Sequence, residues 1–400
     1  MLEGVRVLDL TQYFAGPSAT RLLAEMGADV IKVELAPDGD PSRILPVGRN
    51  GRSGYYVQQN RGKRAICVDF ARPEACELLA ELASRVDIVV ENFGPGVLAR
   101  RGLDYAALSA RNPRLVMASI SAFGREGPWS HKVGYDQVAQ AVSGLMAVTG
   151  EVDGPPTFAG IPIADGSSGL HAFAGLGWAM FHRDRTGRGQ HLDISMVDSL
   201  FGWNVFSLQG HSLTGGEYRL RPTGGQSTAA APCGVFRGPV GWLVVLVLDR
   251  QWPRFCEAIG RPELQTDPRY ATGADRVARR GELNALLETY LARFATDEEA
   301  VAALDRARIP AAPVLRPEEA FGHEYYEHRN LVVRVPDPIL GEVAVPGMPI
   351  KFGDHPEREP VRAPLLGEHN AAVLGELLGY DADEVARLHA DGVLHSATDR

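Results

Sequence analysis

Over the first 125 residues, short β-branched runs alternate with stretches of helical apolar spacing. Val5–Leu10, Val30–Glu34, Ala65–Asp69, Ile88–Glu91 and Leu115–Ser121 read as strands. Ala19–Met26, Pro73–Ser84 and Tyr105–Arg111, lying between them, place apolar residues on one helical face. This alternation predicts an α/β domain with a mostly parallel sheet wrapped by helices. In such sheets ligands bind beyond the carboxyl ends of the strands. That rule selects Gln12–Gly16, Leu35 onward, Asn92–Gly96 and Ala122–Gly127. No G-x-G-x-x-G follows the first strand, which argues against a nicotinamide or flavin cofactor.

The pattern changes after about Leu200. Leu213–Pro232, rich in Gly, Thr, Ala and Pro, reads as linker and loop. Gly234–Asp249 reads as a hairpin, and Gln251–Leu315 is mostly helical, with Glu282–Phe294 and Asp297–Ala307 strongly patterned. Val332–Phe352 alternates like strands broken by prolines, and Pro364–Leu388 closes with helices.

Length and composition narrow the class. At 400 residues the chain exceeds one ordinary core and predicts about two domains. A net charge of −9 argues against general nucleic-acid binding. Cys67, Cys76, Cys233 and Cys256 form no C-x-x-C pair and read as reduced core residues. A strand pattern from the first residues leaves no room for a signal peptide, and the longest large-apolar run, Trp242–Leu248, is too short to cross a bilayer. The expectation is a cytoplasmic protein without a membrane partner. His131, His171 and His182 lack metal spacing, so no metal is expected; His171 reads as a hydrogen-bonded core residue.

The most informative chemistry lies at Asp165. Gly-Ser-Ser-Gly follows it, then an apolar run, Leu170–Phe181, too rich in Ala and Gly to face water. A helix starting there has unpaired N–H groups and a positive dipole end, which would keep a nearby carboxylate ionised. Such a carboxylate can attack an activated acyl group. The same position equally suits a plain N-cap.

Eight fragments in order carry a family resemblance: GVRVLDLTQYFAGP, MGADVIKVE, NRGKRAICVD, VENFGPGVLARRG, SISAFGREGP, GYDQVAQAVSGLM, TGRGQ and PLLGEHN. With the Gly160–Met196 segment they resemble the class III CoA-transferases, the group of formyl-CoA transferase, carnitine CoA-transferase and alpha-methylacyl-CoA racemase. The resemblance implies a Rossmann-like large α/β domain over 1–200, completed by 335–400. It implies a linker and glycine loop over 201–224, a small α+β domain over 225–330, and a homodimer of interlocked rings. It makes Asp165 the nucleophile that forms a mixed anhydride and then a thioester with CoA. Gly224, Gly225 and Gln226 resemble a shortened active-site glycine loop, while an interdomain turn is the alternative reading.

For CoA, a substrate thioester rather than a resident cofactor, the matched positions are Val68 to Ala71, Asn92, Phe93, Gly94, Arg100 and Met196. Arg100 is the phosphate partner by its guanidinium geometry. Leu35 stands where formyl-CoA transferase has an arginine, which leaves Lys132 or Arg72 as substitutes. Phe14 stands where that enzyme has a glutamine, a departure that counts against oxalate and formate specificity. Tyr135 lies near the racemase's histidine; tyrosine, with a pKa of about 10, is a poor base, which favours transfer over racemisation. Arg43, Arg49 and Arg52 would clamp a second carboxylate if they face the site. The resulting expectation is CoA transfer from a donor such as succinyl-CoA to a small carboxylic or dicarboxylic acid. The alternatives are an acyl-CoA racemase or epimerase, and a non-catalytic CoA-binding protein.

Overall fold

The computed structural model describes residues Met1 to Ala397, which form two compact units. The first comprises Met1–Leu145, Phe158–Glu217 and the chain from Glu324 onward; the second comprises Met146–Thr157 and Tyr218–His323.

The first unit is built on a six-stranded sheet. Its strands are β1 (Arg6–Leu10), β2 (Asp29–Leu35), β3 (Arg64–Val68), β4 (Ile88–Glu91), β5 (Val116–Ser121) and β6 (His191–Ser195). They run parallel in the order β3-β2-β1-β4-β5-β6. This is the doubly wound order, and its switch point falls between β1 and β4. Alternate residues on each strand enter different cores. Leu8, Ile31, Ile66 and Val89 pack with Leu78, Leu79 and Leu82 of α3 (Pro73–Ser84). Val7, Val30, Ile88 and Val116 pack on the other side with Ala19 and Leu23 of α1 (Ala15–Glu25) and Leu176 of the long helix Ile163–Thr186.

The structure adds one strand to those expected and corrects one helix face. The sixth strand escaped notice because His191 and Asp193 interrupt its apolar pattern, and it pairs with β5 through backbone hydrogen bonds. The Leu170–Phe181 run does face outward in part. Ala172, Leu176 and Ala179 are buried, whereas Leu170, Trp178 and Phe181 are exposed along another face of the same helix. Small residues serve close approach instead: a Cβ on Gly169 would come within 2.6 Å of the Ala15 carbonyl oxygen.

Within the sheet, Asp9 replaces an apolar residue on the α1 side and is fully buried. Its carboxylate accepts from Lys63 Nζ at 2.9 Å and Thr20 Oγ1 at 2.8 Å. Burial alone would raise the Asp9 carboxyl, but the ammonium groups of Lys63 and Lys32 outweigh it and hold it at about 2. Lys63 also donates to the Pro17 carbonyl at 3.3 Å, so the pair anchors the start of α1.

The second unit carries an antiparallel sheet of β7 (Cys233–Arg237), β8 (Trp242–Leu246) and Ala311–Pro313. Helices Arg280–Leu291 and Asp297–Arg306 pack Leu283, Leu287, Ala300 and Leu304 into its core. Back in the first unit, Val332–Asp337 and Gly341–Pro346 pair as a hairpin, and helices Asn370–Leu378 and Ala382–Ala390 close the chain.

Candidate active site

Asp165 is the third residue of the long helix, not its cap, and the cap position, Pro162, offers no side-chain acceptor. The helix start is satisfied from elsewhere. Asp136, buried at the first position of helix Asp136–Val142, accepts the Ala164 N–H at 2.7 Å and the Asp165 N–H at 3.2 Å through Oδ1. Gln140, one turn on, donates to Asp136 Oδ2 at 2.5 Å and accepts the Ala159 N–H at 2.9 Å. One buried carboxylate–amide pair thus fixes the segment that delivers Asp165.

This arrangement reverses the expectation that helix N–H groups keep Asp165 ionised. Those groups already serve Asp136, whose charge now sits nearby. Burial first, and the Asp136 charge second, push the Asp165 carboxyl up to about 7. A carboxylate at that value is poorly solvated when ionised, as a nucleophile requires, and titrates near neutrality.

A testable consequence concerns Asp136→Asn. Removing the neighbouring charge lowers the Asp165 pKa, so the rising limb of reaction rate against pH moves to lower pH by about one unit. An unmoved limb would show that the Asp136 charge does not reach Asp165. The Asn amide faces Gln140 with a donor in place of an acceptor, which costs about 1–3 kcal/mol of stability.

Aromatic side chains stand around this point. A Cβ on Gly166 would lie 3.6 Å from Phe14 Cε1, which places the Phe14 ring beside the Asp165 turn. Phe14 packs on Tyr55 with ring centroids 6.1 Å apart, and Tyr13 meets Tyr135 edge-on at 6.1 Å. Burial, followed by the Asp165 charge, raises the Tyr55 phenol above its usual value. Tyr13 has a left-handed φ of 63°, held by Asp40 Oδ1, which accepts its N–H at 3.2 Å. Asp40 is itself buried against Lys32 Nζ at 2.7 Å.

At the switch point, Asn92 joins the loops after β1 and β4. Its Oδ1 accepts the Gln12 N–H at 2.7 Å and its Nδ2 donates to the Gln12 carbonyl at 2.8 Å. The amide expected to meet CoA is therefore engaged in holding these loops together. Phe93 packs on Phe70 at 5.6 Å, and Gly94 is exposed and uncrowded. Arg100 is exposed near Gly96.

The other matched or substitute positions differ in exposure. Val68 is fully buried, with its carbonyl oxygen accepting from Ala36 N–H at 2.9 Å and Leu394 bridged alongside. Met196 is buried among core residues. Ala71 is exposed, its N–H bound to Asp69 Oδ1 at 2.8 Å. Lys132 is exposed with Nζ 3.8 Å above the Trp129 ring, and Arg72 is 3.8 Å from Asp69. His171 is exposed rather than in the core, its Nδ1 2.8 Å from the Ser167 carbonyl oxygen.

The arginine clamp is not formed. Arg43 grips buried Glu34 at 2.6 Å through two nitrogens, and buried Arg52 pairs with Asp337 at 2.9 Å. Arg49 donates to the Leu340 carbonyl at 2.8 Å. In the second unit, Gly224 and Gly225 adopt φ of 60° and 85°, which favour glycine. Gln226 donates to the Val235 carbonyl at 2.7 Å and accepts from Asn284 at 3.1 Å, so its amide is committed within that unit.

Asp136 and Gln140 were missed although their i,i+4 spacing at a helix start was visible. Tyr13 and Asp40 lie in loops that the strand-end rule selected, whereas Tyr55 had no comparable signal, because only the fold brings it near the Asp165 charge.

With this geometry in place, comparisons with known proteins add an independent line. Residues 2–370 match the model of CoA-transferase family III. A formyl-CoA:oxalate CoA-transferase of Streptomyces avermitilis is 37% identical, covering 98% of this chain and 99% of its own. A succinyl-CoA:glutarate CoA-transferase of Mus musculus is 34% identical, over 98% of this chain and 90% of its own. A solved CAIB/BAIF family protein from Brucella suis superposes with a TM-score of 0.83 at 34% identity, over 94% of this chain and 99% of that one.

Proposed function

Because the chain belongs to CoA-transferase family III, we propose that it moves CoA from an acyl-CoA donor such as succinyl-CoA to a carboxylic acid through Asp165. The observation that carries this reading is the Asp165 carboxyl. It is displaced to about 7 by burial and Asp136, set at a helix start by Asp136, and has Phe14 beside its turn and Tyr55 within reach of its charge.

The chemistry is symmetrical. Ionised Asp165 attacks the thioester carbonyl and CoA thiolate leaves, giving a mixed anhydride. The thiolate then attacks the aspartyl carbonyl, releasing the donor acid and leaving an aspartyl-CoA thioester. The acceptor carboxylate reverses the sequence, and the new acyl-CoA frees Asp165. Each intermediate is as activated as the one it replaces, so no exchange is strongly uphill.

The exposed Leu170, Trp178 and Phe181 on one helix support a homodimer, since an apolar face of this kind favours burial against a second copy. No described helix is long and apolar enough to cross a membrane.

Intact-mass analysis after incubation with succinyl-CoA tests the proposal. The expected adduct is one CoA joined as a thioester, cleaved by hydroxylamine to a hydroxamate at Asp165. Entry of solvent deuterium at the acyl α-carbon without an adduct would instead establish proton transfer and overturn the reading.

A further inference from the structure

We infer that Arg125 is a positioning residue for CoA: bonded to both Glu91 and Asp193, it fixes the loop after β4 in the form that receives the CoA thioester. The inference rests on the transfer reading above and adds a residue to it. The strand-end rule selects Ala122–Gly127, the loop after β5, yet none of its residues enters the candidate site around Asp165.

Register sets two acids on either side of that loop. Glu91 of β4 pairs with Ser119 of β5, and Ser119 with Asp193 of β6, so the two carboxylates lie in one row across three strands. Side chains paired across neighbouring strands share a face. Arg125, from the loop after the middle strand, answers both. Its backbone N–H donates to Asp193 Oδ2 at 2.8 Å, and its Nη2 donates to Glu91 Oε1. Gly124 makes the turn at a φ of 81°, where a Cβ would lie 3.4 Å from Asp193 Oδ2. The base of the loop is held as well, since Ser195 Oγ and the Val197 N–H both donate to the Ala122 carbonyl, at 3.3 and 3.2 Å.

Glu91 passes this constraint to the next loop. It is 1% exposed, and its second oxygen, Oε2, accepts the Phe93 N–H at 2.9 Å. Asn92, between them, is bonded both ways to Gln12. The backbone is thus fixed where it leaves the sheet for Gly94, whose Cβ side is open. This is the switch point, where ligands of doubly wound sheets bind. A buried carboxylate that loses its counter-charge takes a proton or turns toward water, and either change weakens its hold on the Phe93 N–H. Arg125 therefore governs the loop through Glu91 and needs no contact with CoA itself.

Calorimetric titration with free CoA, read beside the rate of loading from succinyl-CoA by intact mass, tests the inference. Arg125→Met is expected to raise the Kd for CoA at least about tenfold, and Arg125→Lys to restore most of the affinity. Loading at saturating succinyl-CoA should stay within about twofold of the unaltered rate, because the loop acts on binding and not on the chemical step. An unchanged Kd in folded Arg125→Met, even with lower stability, confines the pair to the fold and overturns the inference. Loading that slows at saturation as much as binding weakens places Arg125 in the chemical step and also overturns it. Should Arg125→Met fail to fold, Glu91→Gln decides in its place: the neutral amide accepts the Phe93 N–H less strongly, so weaker CoA binding supports the inference and an unchanged Kd overturns it. An unaltered protein that binds CoA but forms no adduct defeats the covalent reading of Asp165 and leaves the Arg125 result standing.

Discussion

Asp165→Asn is expected to lower CoA transfer by at least about 10⁴-fold, the loss typical when a covalent nucleophile is removed. The amide is nearly the same size and keeps the backbone bond to Asp136, so the site should stay assembled. Stability should move in the opposite direction. The Asp165 carboxyl rises from 3.8 to about 7 on folding, so between those values the folded state binds more protons than the unfolded chain. Its contribution is therefore full below pH 3.8 and is lost as pH rises through about 7. Asn never ionises and avoids that loss. At pH 8 the variant should be more stable by about 2 kcal/mol, after allowing for partial solvent screening. Near pH 4 the two proteins should unfold alike. Denaturant unfolding at both pH values, paired with transfer rates, checks the prediction. Full transfer activity would remove Asp165 from the mechanism, and equal stability at pH 8 would show that the carboxyl is not strained by burial.

Lys63→Met should destabilise the first unit by about 3–5 kcal/mol, because it leaves the Asp9 carboxylate buried without its nearer cation. Lys63 bonds to Asp9 Oδ2, Asn60 Oδ1 and the Pro17 carbonyl, so its loss also frees the entry to α1. Burial pushes Lys63 down to about 8, partly offset by Asp9, so both groups are charged at neutral pH. Adding Asp9→Asn should recover part of the loss, since neutralising both partners removes the stranded charge. Additive losses in the double variant would argue against the pairing.

The domain carrying the site was largely legible in the amino-acid order. Pro73–Ser84 and Tyr105–Arg111 appear as helices with the expected ends, because proline at one start and an aspartate cap at the other punctuate regular apolar spacing. β1 to β5 were visible because strands buried on both faces read as short apolar runs. β6 was hidden by its polar residues, and α2 (Gly54–Asn60) by its Tyr and Gln content, which carries no amphipathic stripe.

The site divides along the same line. The amino-acid order by itself determined that Asp165 begins a small-residue helix and that a parallel sheet precedes it, since both follow from local pattern. It could not determine which way side chains from distant segments turn. Arg43 and Arg52 look like free cations until the fold sets Glu34 and Asp337 against them. The Asp165 carboxyl looks ionised until Asp136, 29 residues earlier, occupies the helix N–H groups. Charge state and availability depend on through-space partners and loss of water, and only the tertiary structure fixes those.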